Sequence, residues 1–152
     1  VKQIEVTSHF DDIAPEYDSY KAKNPFYYSA IKRFLSSRVR PGKKILDFGS
    51  GTGEILADLS PSYGLGYDIS PKMIEIAKRK FKSKRNLGFV TSLNQISGAF
   101  DYILMVDVIE HLAEPRKAFE SLKKFMNEDT YLIVSFVDSS WEPILLILEK
   151  LN

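Results

Sequence analysis

The feature that most constrains this chain is a short apolar run that breaks into closely spaced glycines. Ile45, Leu46 and Phe48 form the run, and Gly49, Gly51 and Gly53 follow it at alternate positions. This pattern predicts a buried strand that turns sharply into a helix. Glycine suits such a turn because side chains resist the required backbone angles, and because a Cβ would hold a ligand away from the peptide N–H groups. We therefore predict a ligand-binding turn whose N–H groups face the ligand, with Asp47 before it to hold loop amides or a positively charged ligand.

A second acidic residue follows the next apolar segment. Residues 65–67 lead to Asp68, nineteen positions after Gly49, where a doubly wound fold has an acid that binds ribose hydroxyls. The dinucleotide fingerprint spaces its glycines as G-x-G-x-x-G, whereas this turn reads G-x-G-x-G and continues into Glu54. An anion at the start of a helix opposes a phosphate ligand, so the pattern disfavours an NAD-binding module.

Four segments of the chain together resemble one enzyme family. Residues 45–54 read Ile-Leu-Asp-Phe-Gly-Ser-Gly-Thr-Gly-Glu, and with residues 66–70 they resemble motif one and the following acidic motif of class I S-adenosylmethionine-dependent methyltransferases. Residues 100–112 resemble the family's fourth strand and the turn after it, and residues 10–18 resemble the N-terminal cap of its small-molecule branch, which includes ubiquinone and menaquinone biosynthesis. The resemblance implies transfer of a methyl group from S-adenosyl-L-methionine to an O, N or C atom of a small molecule, with S-adenosyl-L-homocysteine as product.

Strand-like runs alternate with amphipathic helical patterns along the chain. Helices are predicted to begin at Asn24-Pro25, at Glu54, at Ser70-Pro71 and at Pro115, the second closed by Pro61 and Gly64 and the last reaching Met126. Strands are predicted at residues 44–48, 65–68, 86–93, 101–106 and 131–137. The alternation predicts an α/β fold, in which a doubly wound, Rossmann-like parallel sheet lies between two helical layers.

A chain of 152 residues predicts one domain, which we divide into a cap at 1–24 and a core at 25–152. An apolar segment at residues 144–148 follows the fifth strand. The family has two further strands after such a segment, and the chain has no counterpart of them, so we predict that the C-terminal part of the domain is missing. Because an uncovered edge strand favours aggregation, we expect a homodimer to cover it.

The charges of the chain nearly balance: 21 Lys and Arg residues against 20 Asp and Glu residues leave a formal net charge of +1. No global field therefore favours nucleic acid, which disfavours the alternative of a metal-assisted RNA 2′-O-methyltransferase. The absence of cysteine excludes disulfides and thiolate metal sites and is compatible with a reducing cytoplasm. No segment has the length and apolar purity of a membrane span, and we expect a cytoplasmic protein.

The resemblance assigns a set of residues to the cofactor. Tyr17 in the cap and Gly49, Ser50 and Gly51 would contact its methionine part, and Asp68 would hold the ribose hydroxyls. The other members of the predicted cofactor site are Asp47 before the glycine turn, Gly53 within it, Ile69 and Met73 beside the adenine, Ser92 and Leu93 at its edge, and Asp107 after the fourth strand. Many relatives carry an Asp at the adenine edge, where this chain has Ser92.

Methyl transfer from a sulfonium requires mainly positioning and electrostatics from the protein. A general base is needed only where the acceptor must lose a proton, and His111 is our candidate because histidine titrates near neutral pH. Packing at a helix start is the alternative role of this histidine.

We predict no metal site, but the alternative of a bound metal ion has three candidate ligands. Asp107, Glu110 and His111 resemble the metal-binding acid-x-x-Glu-His pattern of small-RNA 2′-O-methyltransferases and some quinone-pathway O-methyltransferases, and their oxygen ligands would suit Mg²⁺ or Mn²⁺. A further alternative is a methyltransferase-like partner protein without catalysis. The intact glycine turn and Asp68 oppose that alternative.

Overall fold

Five parallel strands form one sheet in the computed structural model, which describes residues 3–136. The strands are Lys44–Phe48 (β1), Tyr63–Tyr67 (β2), Leu87–Val90 (β3), Tyr102–Val106 (β4) and Tyr131–Ser135 (β5). Their order across the sheet is β3-β2-β1-β4-β5. The chain therefore proceeds outward from β1 in one direction and then returns to its other side with β4. The predicted α/β fold with a doubly wound parallel sheet is confirmed, and its switch point, where ligands bind in such sheets, lies between β1 and β4.

Helices cover both faces of this sheet. The α-helices of the described residues are Gln3–Ile13 (α1), Tyr17–Lys23 (α2), Pro25–Arg38 (α3), Glu54–Asp58 (α4), Pro71–Lys80 (α5) and Pro115–Leu122 (α6). On one face, Leu35 of α3 and Ile74 of α5 pack with Ile45 of β1. On the other face, Leu122 of α6 packs with Leu46 of β1 and with the neighbouring β4. Burial on both faces explains why β4 is apolar at every position.

Several element boundaries differ from the predicted ones. β2 begins at Tyr63 and includes Gly64, which we had predicted to close the preceding helix. A Cβ on Gly64 would lie 2.8 Å from the Leu87 side chain and 2.9 Å from Pro61, so this glycine serves close strand packing. The predicted helix from Pro115 to Met126 ends at Leu122, and Lys123–Phe125 continues as a tighter 3₁₀ turn. β3 covers Leu87–Val90 rather than residues 86–93.

Residues 3–23 belong to the region predicted as a cap without assigned elements, and they form α1, a 3₁₀ turn at Ala14–Glu16 and α2. Asn24 precedes α3 as predicted, but its side chain makes no capping hydrogen bond. Asp11 joins α1 to the start of α5, because its Oδ1 accepts hydrogen bonds from the Ser70 hydroxyl at 2.5 Å and from the Lys72 amide at 3.2 Å. The cap is thus bonded to the core beside the strand ends.

Within residues 3–136, no helix combines the length and the hydropathy that a bilayer crossing requires. In the same part of the chain, β5 forms one edge of the sheet. Residue 137, predicted as the end of the fifth strand, and the apolar segment at 144–148 lie outside the described residues. The predictions of a single domain and of a missing C-terminal part stay predictions.

Candidate functional site

The glycine turn after β1 has left-handed backbone at its three predicted glycines. The φ angles are 84° at Gly49, 51° at Gly51 and 82° at Gly53, a region that side chains disfavour. Space is limited as well as conformation. A Cβ on Gly49 would overlap the Val108 side chain, and a Cβ on Gly51 would lie 3.1 Å from the Tyr17 ring. The turn therefore requires glycine for both conformation and close approach.

Four N–H groups of this turn are already hydrogen-bonded inside the protein. The amides of Gly49 and Ser50 donate to the Tyr67 carbonyl at 2.7 and 2.9 Å, and the amide of Gly53 donates to the Ser50 carbonyl at 2.9 Å. The Gly51 amide donates to Asp68 Oδ2 at 2.8 Å. The expectation that these groups face a ligand is wrong in this structure, because the turn folds back onto the end of β2.

Asp68 holds the turn, a role we had considered for Asp47. Besides Gly51, its carboxylate accepts the Ser70 amide at 2.9 Å, and the residue is 8% exposed. Burial raises the pKa of Asp68, and the hydrogen bonds from Ser70 and Gly51 oppose that rise. A carboxylate has about four acceptor positions, so two amide donors leave capacity for a ligand's hydroxyl groups.

Asp47 lies behind the turn and is 2% exposed. No hydrogen bond to its carboxylate is found among residues 3–136. Burial raises its pKa to about 7, with the Lys21 charge opposing the rise and the Asp68 charge adding to it. Ser50 is part of the turn, and its side chain is directed toward Gly66 of β2. Its hydroxyl is buried and, in the described part of the chain, has no hydrogen-bond partner.

The cap contacts the turn directly. Thr52 in the turn donates from its hydroxyl to Asp18 of α2 at 2.5 Å, and the Lys80 ammonium bonds the same carboxylate at 2.6 Å. Lys80 also pairs with Glu54 at 3.0 Å, and Lys21 lies 3.7 Å from Glu54. Burial acts to raise the pKa of Asp18, but the hydrogen bonds from Lys80 and Thr52 outweigh it, and the pKa is lowered. Four charged groups thus join α2 to the turn.

Tyr17 and Lys21 of α2 lie beside the turn, Tyr17 next to Gly51 and Lys21 next to Glu54. The Lys21 ammonium is 5.4 Å from the centroid of the Tyr17 ring and 5.0 Å from that of Tyr28, distances typical of cation–π contacts. Burial lowers the pKa of Lys21, while the charges of Glu54 and Asp18 oppose that change. Burial is also the main cause that raises the pKa of Tyr17. Both side chains therefore belong to the enclosed part of the protein.

A cavity of about 320 Å³ lies between the strand ends, the cap and α6. Nine of the predicted site residues line it: Tyr17, Gly49, Gly51, Asp68, Ile69, Met73, Leu93, Asp107 and His111. Four others, Asp47, Ser50, Gly53 and Ser92, are not among its lining residues. Ser92 caps the 3₁₀ turn Leu93–Gln95 instead, since its hydroxyl accepts from the Asn94 amide at 3.3 Å.

The turn after β4 contributes Asp107, whose φ of 54° is left-handed although it is not glycine. The hydroxyls of Tyr27 and Ser135 both donate to Asp107 Oδ1 at 2.8 Å. Sequence reasoning missed these two residues. Tyr27 occupies a position of helical apolar spacing, which predicts packing, and Ser135 ends an apolar strand. Neither carries a local signal of its role.

His111 ends the 3₁₀ turn Ile109–His111 and is exposed at the side of the cavity. Its ring packs edge-on against Phe10 of α1, with centroids 5.1 Å apart. Phe10 was not among the predicted site residues, although it belongs to the segment that resembles the family's cap. Within residues 3–136, no three His, Asp or Glu side chains converge as a metal site would need, so Asp107, Glu110 and His111 do not form one.

Comparison with known proteins places the chain among methyltransferases. A family model described as a methyltransferase domain matches residues 20–150. The ubiquinone/menaquinone biosynthesis C-methyltransferase UbiE of Haemophilus ducreyi is 28% identical over 162 residues, which cover 94% of this chain and 61% of the relative. The chain thus spans about three fifths of the length of this relative.

Two solved structures show the same fold at low sequence identity. The DhpI–SAH complex has a TM-score of 0.66 at 22% identity and covers 85% of this chain and 66% of its own. A chain from the complex between the Haloferax volcanii Trm112 methyltransferase activator and a methyltransferase has a TM-score of 0.66 at 20% identity. The match covers 81% of this chain and 57% of that one.

Proposed function

The chain belongs to the methyltransferase-domain family of class I S-adenosylmethionine-dependent enzymes, and on that premise we propose that it transfers a methyl group from S-adenosyl-L-methionine to an oxygen, nitrogen or carbon atom of a small molecule. The observation that carries the proposal is the buried carboxylate of Asp68, which lines the cavity beside a turn built from glycines. An enclosed acid with remaining acceptor capacity suits the two hydroxyls of a ribose.

The residues present fit this cofactor. The cavity volume of about 320 Å³ is within the usual range for small-molecule sites. Ile69, Met73 and Leu93 supply an apolar region beside Asp68 that suits an adenine ring. Tyr17 and Gly51 both line the cavity and approach each other closely, so a side chain at position 51 would press on the Tyr17 ring beside the proposed place of the methionine part.

S-adenosylmethionine would supply an electrophilic methyl group on a positively charged sulfur. The chain's own residues would contribute position and environment. Asp68 would orient the ribose, the glycine turn would keep its backbone close to the ligand, and the rings of Phe10 and Tyr17 would exclude water from the cavity. His111 would accept a proton only from an acceptor that must lose one, because a sulfonium needs no acid to leave.

Calorimetric titration tests the proposal. S-adenosylmethionine, S-adenosylhomocysteine and NAD are titrated into the protein and into Asp68→Ala and Asp68→Asn. We expect micromolar binding of the first two ligands, none of NAD, and at least a tenfold weaker affinity in both variants because the carboxylate charge is lost. Asp101→Asn is the matched control, since Asp101 also accepts a backbone amide, from Lys44 at 2.7 Å, but at the opposite end of β1. Equal affinity in all variants would exclude Asp68 as the ribose acid.

We propose that the methyl acceptor is a small molecule rather than RNA, and that residues 1–152 act as one domain with an N-terminal cap. The near balance of charge supports the first point, and the bonds of Asp11 and Asp18 to the core support the second. A homodimer that covers the edge of β5 stays a proposal as well. Analytical ultracentrifugation over a hundredfold range of concentration tests it, and a constant monomer mass would reject it.

A further inference from the structure

Asp107 differs from the other acidic residues that line the cavity in its left-handed backbone conformation. A φ of 54° is unfavourable for any residue with a Cβ, although Asp tolerates it better than most. The residue lies immediately after β4, at the switch point of the sheet. Strain of this kind persists only where surrounding contacts hold it, and it is concentrated at functional positions.

Two hydroxyls from distant elements hold this carboxylate. Tyr27 of α3 and Ser135 at the end of β5 both donate to Oδ1 at 2.8 Å, and the Asp107 amide donates to the Ser135 carbonyl at 3.2 Å. Because both hydroxyls bond the same oxygen, Oδ2 keeps its acceptor positions. No hydrogen bond to Oδ2 and no ion pair of Asp107 occurs among residues 3–136, and the residue lines the cavity.

Asp107 and Asp68 lie on opposite sides of the glycine turn. Asp68 follows β2 and Asp107 follows β4, and both strands are neighbours of β1. A ligand that offers hydroxyls to Asp68 and extends across the turn reaches the side of the sheet where Asp107 lies. A carboxylate without a paired cation in a partly enclosed site attracts positive charge more strongly than it would in water.

We propose that Asp107 selects the ligand by its charge, favouring the positively charged methylsulfonium cofactor over the neutral thioether product, and that Tyr27 and Ser135 are its positioning residues. The inference rests on the proposed function, since it names what the β4 side of the same site recognises. Its consequence is that the charge of Asp107 raises the affinity for the cofactor relative to that for the product, which has lost the positive charge of the sulfur.

Three ligands that share the adenosine and amino-acid parts separate charge from shape. S-adenosylmethionine has a sulfonium, sinefungin has a protonated amine on a carbon in its place, and S-adenosylhomocysteine has a neutral sulfur. Calorimetry gives the ratio of the dissociation constant of the neutral ligand to that of each charged one. In Asp107→Asn, which removes the charge but keeps the side-chain size, both ratios should fall about tenfold, equivalent to about 1.4 kcal/mol.

The positioning residues are tested by the same ratios, which do not depend on activity. Tyr27→Phe and Ser135→Ala should each lower them about threefold, because each leaves one hydroxyl to hold Asp107. Ser135→Thr keeps the hydroxyl and should restore the wild-type ratios. Tyr20→Phe is the matched control for Tyr27, since it removes the same atom from an exposed cap tyrosine. Thermal unfolding of each variant reports whether it is folded.

The outcomes separate this inference from the function on which it rests. If S-adenosylhomocysteine binds and Asp107→Asn leaves both ratios unchanged, charge selection by Asp107 is overturned and the proposed function stands. If the ratios change in Asp107→Asn but not in Tyr27→Phe or Ser135→Ala, the positioning roles are overturned. If none of the three ligands binds the wild-type protein, the proposed function fails and the inference fails with it.

Discussion

The ends of β1 and β4 are neighbours in the sheet and both continue through left-handed backbone, but they do so by different means. After β1, three glycines take positive φ angles, and backbone amides bond to nearby carbonyls and to Asp68. After β4, Asp107 itself takes a φ of 54°, and hydroxyls 80 and 28 residues away in the sequence hold its side chain. One turn depends on residue type, and the other depends on tertiary contacts.

Each turn is also held by a different helix of the N-terminal region. Asp18 of α2 bonds Thr52 in the glycine turn, and Tyr27 of α3 bonds Asp107. The acids beside the two turns differ in the same way, because Asp47 is buried without a hydrogen bond within residues 3–136 whereas Asp107 accepts two. The comparison teaches that the helices before β1 shape both sides of the cavity.

The largest effect we expect concerns the buried acid beside the first turn. Because burial raises the pKa of Asp47 to about 7 in the folded state, the folded protein keeps this proton to higher pH than the unfolded chain does. The free energy of unfolding should therefore fall as pH rises from about 4 to about 7, by on the order of 4 kcal/mol. Asp47→Asn should lose this dependence and be more stable than wild type above pH 7.

Urea unfolding at intervals from pH 4 to pH 8 measures the difference between Asp47→Asn and the wild-type protein. The difference matters more than either curve, because other groups titrate in the same range. Parallel curves for the two proteins would contradict the expected proton uptake by Asp47.

A smaller effect tests whether the first turn requires glycine for space as well as conformation. Gly49→Ala combines a left-handed alanine with overlap against Val108, so the free energy of unfolding should fall by about 3 kcal/mol. Gly42→Ala is the matched control, because its φ is 74° but nothing lies within 4 Å of an added Cβ, so only about 1 kcal/mol should be lost. Equal losses in the two variants would mean that the contact with Val108 adjusts freely.

The smallest expected effect concerns the contact between α2 and the first turn. Asp18→Asn should reduce the free energy of unfolding by about 1 kcal/mol at neutral pH, because the ion pair with Lys80 is partly exposed and screened. The pKa of Asp18 is lowered in the folded state, so its contribution is present above the ordinary pKa of about 4 and is lost as pH falls below it. Wild type and Asp18→Asn should therefore converge in acid. A gap that persists at pH 2 would assign the effect to packing.

Much of the fold could be predicted because its signals are local. The apolar run before Gly49, the Ser70-Pro71 helix start and the alternation of strands with helices lie within short windows of sequence, and the predicted starts of β1 and α5 agree with the structure. Boundaries were less predictable. Gly64 was predicted to end a helix, because its role in close packing against Leu87 depends on a strand 23 positions later.

The candidate site shows the same difference between local and long-range information. The sequence by itself determined the glycine turn and the position of Asp68, because conformational freedom and strand-end spacing are properties of short segments. Only the tertiary structure decided how these groups are used: the turn's amides bond inward to Tyr67 and Asp68, and Asp107 is held by Tyr27 and Ser135. The physical reason is that a hydrogen bond depends on distance in space, and no local pattern records which distant hydroxyl a carboxylate will meet.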